Sequence, residues 1–173
     1  MNVSFFVQSD GDKGISQTLI QMRDAILASD KTRVIKTKAR ELITGIAPND
    51  EVGQVTAVFT WVRDNIPYVR DIYGVEEITQ PDRLLESFMS KKNDYSSDCD
   101  DKAMLVSALL RSIGFRTRVE ALAINQPTGY DHARAAVFMQ SKGVWWPLET
   151  TKPGISAGVG LQSQRPILGL EVV

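Results

Sequence analysis

Residues 97–124 have the sequence SDCDDKAMLVSALLRSIGFRTRVEALAI, and a change of pattern inside this stretch decides the fold. Apolar side chains surround positions 103–113, which predicts a helix that is buried nearly all round. Gly114 is the kind of residue at which such helices end. From residue 116 to 124 the period changes to two, which predicts a strand. The segment therefore predicts a buried helix that leads directly into a strand.

Two more strands are predicted after this unit. HARAAVFM (132–139) and VWWPLET (144–150) are apolar, β-prone segments, and QSKG (140–143) has a suitable length for a hairpin loop between them. If these four residues form the loop, Met139 pairs with Val144 and the rest of the register follows.

The first half of the chain is predicted to be helical, because its apolar residues recur at helical spacing. The four helices expected there cover residues 15–27, 34–46, 52–66 and 81–89. Asn49 or Asp50 is placed to cap the third helix, and Pro81 suits the first turn of the fourth.

The predicted connections are short and polar. NVSFFV (2–7) predicts a short strand that DGDKG (10–14) interrupts. Residues 68–79 are expected to form a loop with a short strand, and SKKNDYSS (90–97) a polar loop. The resulting fold class is α+β, with a helical N-terminal half and a thiol-bearing buried helix packed on a small antiparallel sheet.

The length favours a single domain over residues 1–173. Within it we expect a helical N-terminal extension (1–50), a core (51–152) and a tail (151–173) that contains several glycines and prolines. The tail is predicted to be an ordered wrap or a lid.

Composition excludes several classes of protein. Hydrophobic residues make up 43% of the chain, which suffices for a core, and the net charge of −1 leaves no basic stripe for nucleic acid. The basic residues between positions 31 and 40 alternate with apolar ones, as on a solvated helix face. We see neither a membrane span nor a secretory signal, so no membrane partner and a cytoplasmic location are expected.

The chain has one cysteine and one histidine, so disulfides and cysteine- or histidine-rich metal sites are not expected. Cys99 falls at the start of the buried helix, with Ser97 or Asp98 as its cap. A helix N-terminus favours a thiolate, whereas the acids Asp98, Asp100 and Asp101 oppose one. The alternative is that Cys99 is a small apolar residue with no chemical role.

A partner for Cys99 follows from the hairpin register. That register places Arg134 opposite Glu149 and makes His132 a diagonal neighbour of Glu149 on the same face. A carboxylate bound to one imidazole nitrogen fixes the tautomer of the ring and supports its charged form. Two alternatives remain open: a salt bridge between Glu149 and Arg134, and Asp131 as the acid that orients His132.

These motifs, in their order and spacing, resemble those of the transglutaminase-like superfamily of papain-like cysteine enzymes. The matching elements are Asp98–Cys99 at a helix start, the LLR…G…R run (109–118), the His132–Ala133 strand, and the W…LE strand that ends at Glu149. WVRDNIPYVRD (61–71) resembles the segment that precedes this core, and the resemblance covers about residues 52–152.

The chain departs from the family pattern at three positions. Ser97 replaces the usual glycine, Arg134 stands where tryptophan is common, and Glu149 replaces the usual aspartate. The residue types of the triad are kept, while the longer acid and the altered cleft wall change the geometry.

The resemblance implies acyl chemistry on a peptide or protein substrate, without a cofactor or metal. Cys99 would form a thioester, His132 would transfer the proton and Glu149 would orient His132. The backbone N–H of Cys99 and a side chain, Tyr68 or alternatively Trp61, would stabilise the oxyanion. Asp98 and Trp146 are further cleft candidates.

Hydrolysis of the thioester is favoured over cross-linking, since no acidic run resembles a calcium loop. The second hypothesis is a structural or accessory protein with an idle or covered triad and a protein assembly partner. It would be located in a virion if the chain is phage-encoded, because superfamily members occur among phage particle genes. A third possibility is a peptide-binding module that uses the same groove.

Overall fold

A single buried helix joins the helical half of the chain to its sheet. The computed structural model describes residues 3–4, 12–70, 77–92, 97–125 and 127–173. The helices are α1 (Asp12–Ser29), α2 (Arg33–Leu42), α3 (Glu51–Asn65), α4 (Pro81–Met89) and α5 (Cys99–Ser112). The strands are β1 (Val3–Ser4), β2 (Glu77–Ile78), β3 (Thr117–Leu122), β4 (His132–Met139), β5 (Val144–Leu148) and β6 (Leu168–Val172). This arrangement confirms the predicted α+β class.

Helix α5 is the centre of the core. Every residue from Asp100 to Leu110 is buried, and the helix packs against α1, α2, α3 and α4 as well as against β3 and β4. Its large side chains at Met104, Leu105 and Leu109 are fully enclosed. Burial of each such side chain stabilises the fold by about 1.5–3 kcal/mol, so the position of α5 is firmly fixed.

The four-stranded sheet has the strand order β5-β4-β3-β6, and all of its neighbouring strands are antiparallel. On β4, the residues Ala135, Val137 and Met139 are fully buried in the core. The short alanine side chains along this strand allow the backbone of α5 to approach closely. As a result, the N-terminus of α5 lies beside the start of β4.

The predicted hairpin register is confirmed. Met139 pairs with Val144, and the ladder continues to Ala135 and Leu148. Glu149 is therefore the first residue beyond the paired part of β5.

Some predicted boundaries were wrong. Helix α1 begins at Asp12, before the predicted start at residue 15, and α2 ends at Leu42, before the predicted end at residue 46, because Gly45 turns the backbone at φ 84°. The cap at Asp50 is confirmed, since its carboxylate accepts a hydrogen bond from the Gly53 N–H at 2.8 Å. The predictions for residues 2, 5–7, 71–76 and 93–96 fall outside the described residues.

The tail is an ordered wrap that contributes a strand the sequence did not predict. Strand β6 pairs with β3 at the edge of the sheet. Before β6, the tail crosses the sheet, where Gln164 N–H donates to the Ala123 carbonyl at 2.7 Å. The tail therefore completes the four-stranded sheet.

A buried ion cluster holds the tail against the sheet. Glu120 is 1% exposed and accepts from Arg118 Nε and from Arg134 Nε, each at 2.6 Å. Arg134 also donates through Nη1 to the Leu161 carbonyl at 3.3 Å. Because Arg134 is held on both sides, Gly160 packs against a guanidinium that has little freedom to move.

This packing predicts that two glycine substitutions differ in their effect on stability. In Gly160→Ala the new Cβ overlaps Arg134 Nη1 and comes within 3.0 Å of Pro147, whereas in Gly169→Ala it meets Arg118 at an ordinary 3.7 Å. We expect Gly160→Ala to lower the free energy of unfolding by about 1–3 kcal/mol and Gly169→Ala to change it little. Urea denaturation of both variants checks this, and equal stabilities would contradict the described packing.

Candidate active site

Cys99 is the first residue of α5 and is half-buried. Neither predicted cap works through its side chain. Asp98 occupies the N-cap position without a side-chain capping bond, and the Ser97 hydroxyl donates to the Pro67 carbonyl at 2.5 Å. Backbone groups of Ala133 and Asp100 hydrogen-bond the sulfur. The thiol is therefore seated between the start of α5 and the start of β4.

The surroundings of Cys99 favour the neutral thiol. Burial raises the pKa of Cys99 above its ordinary value, and the negative charges of Asp100 and Asp98 raise it further. The backbone hydrogen bonds from Ala133 and Asp100 act in the opposite direction but do not compensate. The advantage expected of a helix N-terminus is thus outweighed by desolvation, and Cys99 rests protonated at neutral pH.

His132 and Glu149 are in direct contact. The Nε2 atom of His132 lies 2.9 Å from both carboxylate oxygens of Glu149. The Glu149 side chain is fully buried, and that of His132 is 12% exposed. Thr151 Oγ1 donates to Glu149 Oε1 at 2.7 Å. The imidazole is therefore oriented by the Glu149 carboxylate, which is itself fixed by the hydrogen bond from Thr151.

This contact decides the tautomer of the histidine. Burial by itself raises the pKa of Glu149. The hydrogen bond and the electrostatic attraction of His132, together with the hydrogen bonds from Thr151, outweigh burial, so the pKa is lowered and the group is a carboxylate. A carboxylate only accepts hydrogen bonds, so the neutral ring carries its proton on Nε2. The lone pair of Nδ1 is then available as a base.

The two alternative pairings do not form. Arg134 bonds to Glu120, which leaves Glu149 to His132. The Asp131 carboxylate accepts from the backbone N–H groups of Ile124 at 2.7 Å and Asn125 at 2.9 Å. Asp131 therefore shapes the loop after β3.

Cys99 and His132 line one open pocket with a volume of about 270 Å³. Tyr68 lies on the same pocket, at 47% exposure. Its pKa is raised, first by partial burial and then by its acidic neighbours Cys99 and Asp98. The phenol therefore keeps its proton and can donate a hydrogen bond close to the sulfur.

The two tryptophan candidates lie elsewhere. Trp61 packs edge-on against Phe88 with the Lys38 ammonium 4.4 Å above its ring, and Trp146 lies against Gly158 of the tail. Neither lines the pocket that contains Cys99.

Lys102 was missed at the sequence level. It is 2% exposed, and its ammonium donates to the carbonyl oxygens of Ile66 at 2.7 Å and Arg63 at 3.2 Å. Burial lowers its pKa to about 8. A lysine one turn after Cys99, inside an otherwise apolar helix, was the available signal. The contact fixes the end of α3 directly before Tyr68.

A second tie holds the Tyr68 segment next to Cys99. Val69 and Ser97 form an isolated antiparallel bridge, with N–H···O distances of 3.3 and 3.2 Å. The residues on either side of this bridge, Tyr68 and Asp98, are therefore brought to the same place as the thiol.

Around the sulfur, one possible ligand atom from each of Asp98, Cys99 and Asp100 lies within 4.8 Å of the others. These atoms could contact one cation, but a protonated thiol is a poor metal ligand. The absence of a metal cofactor stays a prediction.

The chain belongs to the transglutaminase-like superfamily. The model of this family matches residues 36–150, which include Cys99, His132 and Glu149. Helix α1 and the tail fall outside the match.

Two solved structures share the fold. A candidate cysteine protease from Cytophaga hutchinsonii aligns with 95% of this chain at 18% identity and a TM-score of 0.50. The Rad4/XPC nucleotide excision repair complex aligns with 91% of the chain at 9% identity and a TM-score of 0.55. The chain spans about half the length of these two proteins, 54% and 45%.

A comparison with curated protein sequences gave no significant match. Within the described residues, no helix is both long enough and apolar enough to cross a membrane.

The charge around Cys99 gives a direct prediction. In Asp98→Asn one negative charge beside the sulfur is lost, so the pKa of Cys99 falls and the thiolate fraction at a given pH rises. We expect iodoacetamide to alkylate Cys99 roughly two- to fivefold faster between pH 7 and 9, as followed by intact-protein mass. Asp24→Asn, which removes an exposed charge on α1, is the control. An unchanged or slower rate in Asp98→Asn would contradict the assigned electrostatics.

Proposed function

We propose that this chain is a cysteine-dependent hydrolase that acts on amide bonds of peptides or proteins through a thioester. The observation that carries the proposal is the buried His132–Glu149 contact beside Cys99 in an open pocket. An acid that orients a histidine next to a nucleophile is the arrangement that activates thiols and hydroxyls in many enzymes. Membership of the transglutaminase-like superfamily supports the same class of chemistry.

The raised pKa of Cys99 and the lowered pKa of Glu149 indicate how protons would move in the first step. Because Cys99 rests as a thiol, its proton moves to His132 Nδ1 as the sulfur attacks the carbonyl carbon of the substrate. The imidazolium that forms is stabilised by the Glu149 carboxylate at Nε2. Tyr68 and the backbone N–H of Cys99 would donate hydrogen bonds to the oxyanion.

Three further proton transfers through His132 would complete the reaction. His132 returns its proton to the leaving amine as the C–N bond breaks, which leaves the acyl group on the sulfur. Water next gives a proton to His132 and attacks the thioester, and Cys99 leaves as the thiol with the proton from His132. The products are a carboxylic acid and an amine, and the enzyme is regenerated.

Water is the acceptor that the pocket favours. The pocket is open to solvent, and polar side chains such as Asn125, Thr151 and Lys152 line it. We therefore propose hydrolysis rather than transfer to an amine.

An activated ester tests this chemistry without knowledge of the natural substrate. We expect p-nitrophenyl acetate to add one acetyl group to Cys99, seen by intact-protein mass, and to release p-nitrophenol with turnover. In His132→Ala the acylation rate should fall by about 10²–10⁴, the usual contribution of a general base, and Glu149→Gln should also lower it. Cys99→Ala should give no adduct.

The controls separate loss of chemistry from loss of fold. Ser107→Ala changes a buried residue of α5 outside the triad, and thermal unfolding of every variant establishes that it is folded. Equal acylation rates in wild type, His132→Ala and Glu149→Gln would refute the proposal. Release of an amine adduct in preference to acetate, when glycinamide is added, would establish acyl transfer in place of hydrolysis.

A second function is favoured by one observation. The raised pKa of Cys99 and its acidic neighbours also suit a structural or accessory protein in which the fold is kept and the thiol is idle, with another protein, for example in a virion, as its partner. This function predicts slow acylation of Cys99 that does not depend on His132. The tail speaks against a covered site, because it contributes Leu161 to the pocket wall and leaves the pocket open.

A further inference from the structure

Two cationic side chains stand at the pocket that contains Cys99. Arg70 and Lys152 both line it, and both residues are exposed. Their places are tied to the candidate site, since Arg70 hydrogen-bonds the phenol of Tyr68 and Lys152 follows Thr151, which holds Glu149. Any substrate carbonyl that reaches Cys99 would therefore come near both cations.

Among the described residues that line the pocket, the one carboxylate belongs to Asp131, and it is already hydrogen-bonded. The Asp131 carboxylate accepts two backbone hydrogen bonds, from Ile124 and Asn125. Burial raises its pKa, but these bonds outweigh burial and the pKa is lowered. Asp131 is thus a carboxylate held by its own loop, and among the described residues it forms no ion pair with Arg70 or Lys152.

Three arginines elsewhere in the described residues are used differently. Arg111, Arg118 and Arg134 are each paired with a buried or half-buried carboxylate. Lys152 has no ion-pair partner among the described residues. An unpaired cation beside an open pocket is available for a ligand.

We propose that the pocket selects substrates that carry a carboxylate next to the amide bond to be cleaved, and that Arg70 and Lys152 bind this carboxylate. The inference rests on the proposed function, because it assigns the substrate class of the same site. The pocket volume of about 270 Å³ suits a single residue beside the amide bond better than a large ligand, since pockets for drug-sized ligands measure roughly 300–1,000 Å³. The substrate class is therefore a peptide with a carboxylate beside the amide bond that is cleaved.

The single cysteine provides a probe of this charge preference. Iodoacetate and iodoacetamide alkylate the same sulfur by displacement of iodide, and they differ in that iodoacetate carries a carboxylate. The measured quantity is the ratio of their rate constants for Cys99, divided by the same ratio for the urea-unfolded chain. We expect the normalised ratio to exceed one, and to fall roughly two- to fivefold in Arg70→Gln and in Lys152→Gln, the effect of losing an exposed ionic contact.

Two controls make the result specific to the pocket. Lys31→Gln removes one exposed positive charge outside the pocket and should leave the ratio unchanged. Raising the ionic strength should reduce the wild-type ratio, since salt screens exposed charges. A normalised ratio of one or below, or a ratio that Arg70→Gln and Lys152→Gln do not change, would overturn the inference.

This experiment separates the inference from the proposed function. If the triad is idle, both reagents react slowly and His132→Ala has no effect, but the ratio still reports the charges at the pocket. If the triad works and the ratio is one, the hydrolase stands and the substrate class falls.

Three short peptides distinguish the source of the carboxylate. One has an internal glutamate and blocked ends, one has a glutamine and a free C-terminus, and the third has a glutamine and blocked ends. If the first peptide protects Cys99 from iodoacetamide most strongly, the pocket recognises an acidic side chain. If the second peptide does so, the pocket recognises a C-terminal carboxylate. If neither charged peptide protects better than the neutral one, the inference is contradicted.

Discussion

The close packing of α5 on β4 is the constraint on which the rest of the structure depends. Burial of one face of α5 against the alanine-containing strand fixes the start of the helix beside Ala133, and this is where Cys99 lies. The same packing sets the distance between the thiol and the first residue of β4, His132. A bulky side chain on the buried face of β4 would separate the two groups without touching either of them, so the candidate site is a property of the core.

The contact between His132 and Glu149 is the second requirement, and it stands on rigid elements. Strand β4 carries the imidazole, the end of β5 carries the acid, and Thr151 restrains the carboxylate. Cys99, in contrast, is held as a neutral thiol by burial and by the negative charges of two nearby acids. A histidine with a fixed tautomer beside a protonated thiol favours a mechanism in which the proton moves while the sulfur attacks the substrate. A mechanism that starts from a thiolate–imidazolium pair is favoured less.

Much of this arrangement follows from the sequence, because it depends on local patterns. The change of period after Gly114 predicts α5 and β3, and the four-residue loop before Val144 determines the register that brings His132 near Glu149. Other features depend on contacts between distant segments. The direction of the Cys99 pKa results from burial, which no motif around Cys99 reports. The choice of Tyr68 over Trp61 depends on the Val69–Ser97 bridge, and β6 has no strong strand pattern and forms because β3 offers an open edge.

The proposed chemistry depends most directly on the tautomer of His132, which is the single histidine of the chain. Nitrogen-15 NMR of the labelled imidazole at neutral pH measures which ring nitrogen carries the proton. We expect the neutral ring to carry its proton on Nε2, with a free lone pair on Nδ1, and we expect this preference to weaken in Glu149→Gln. A proton on Nδ1, or a ring that exchanges between both forms in wild type as freely as in Glu149→Gln, would contradict the proposed chemistry.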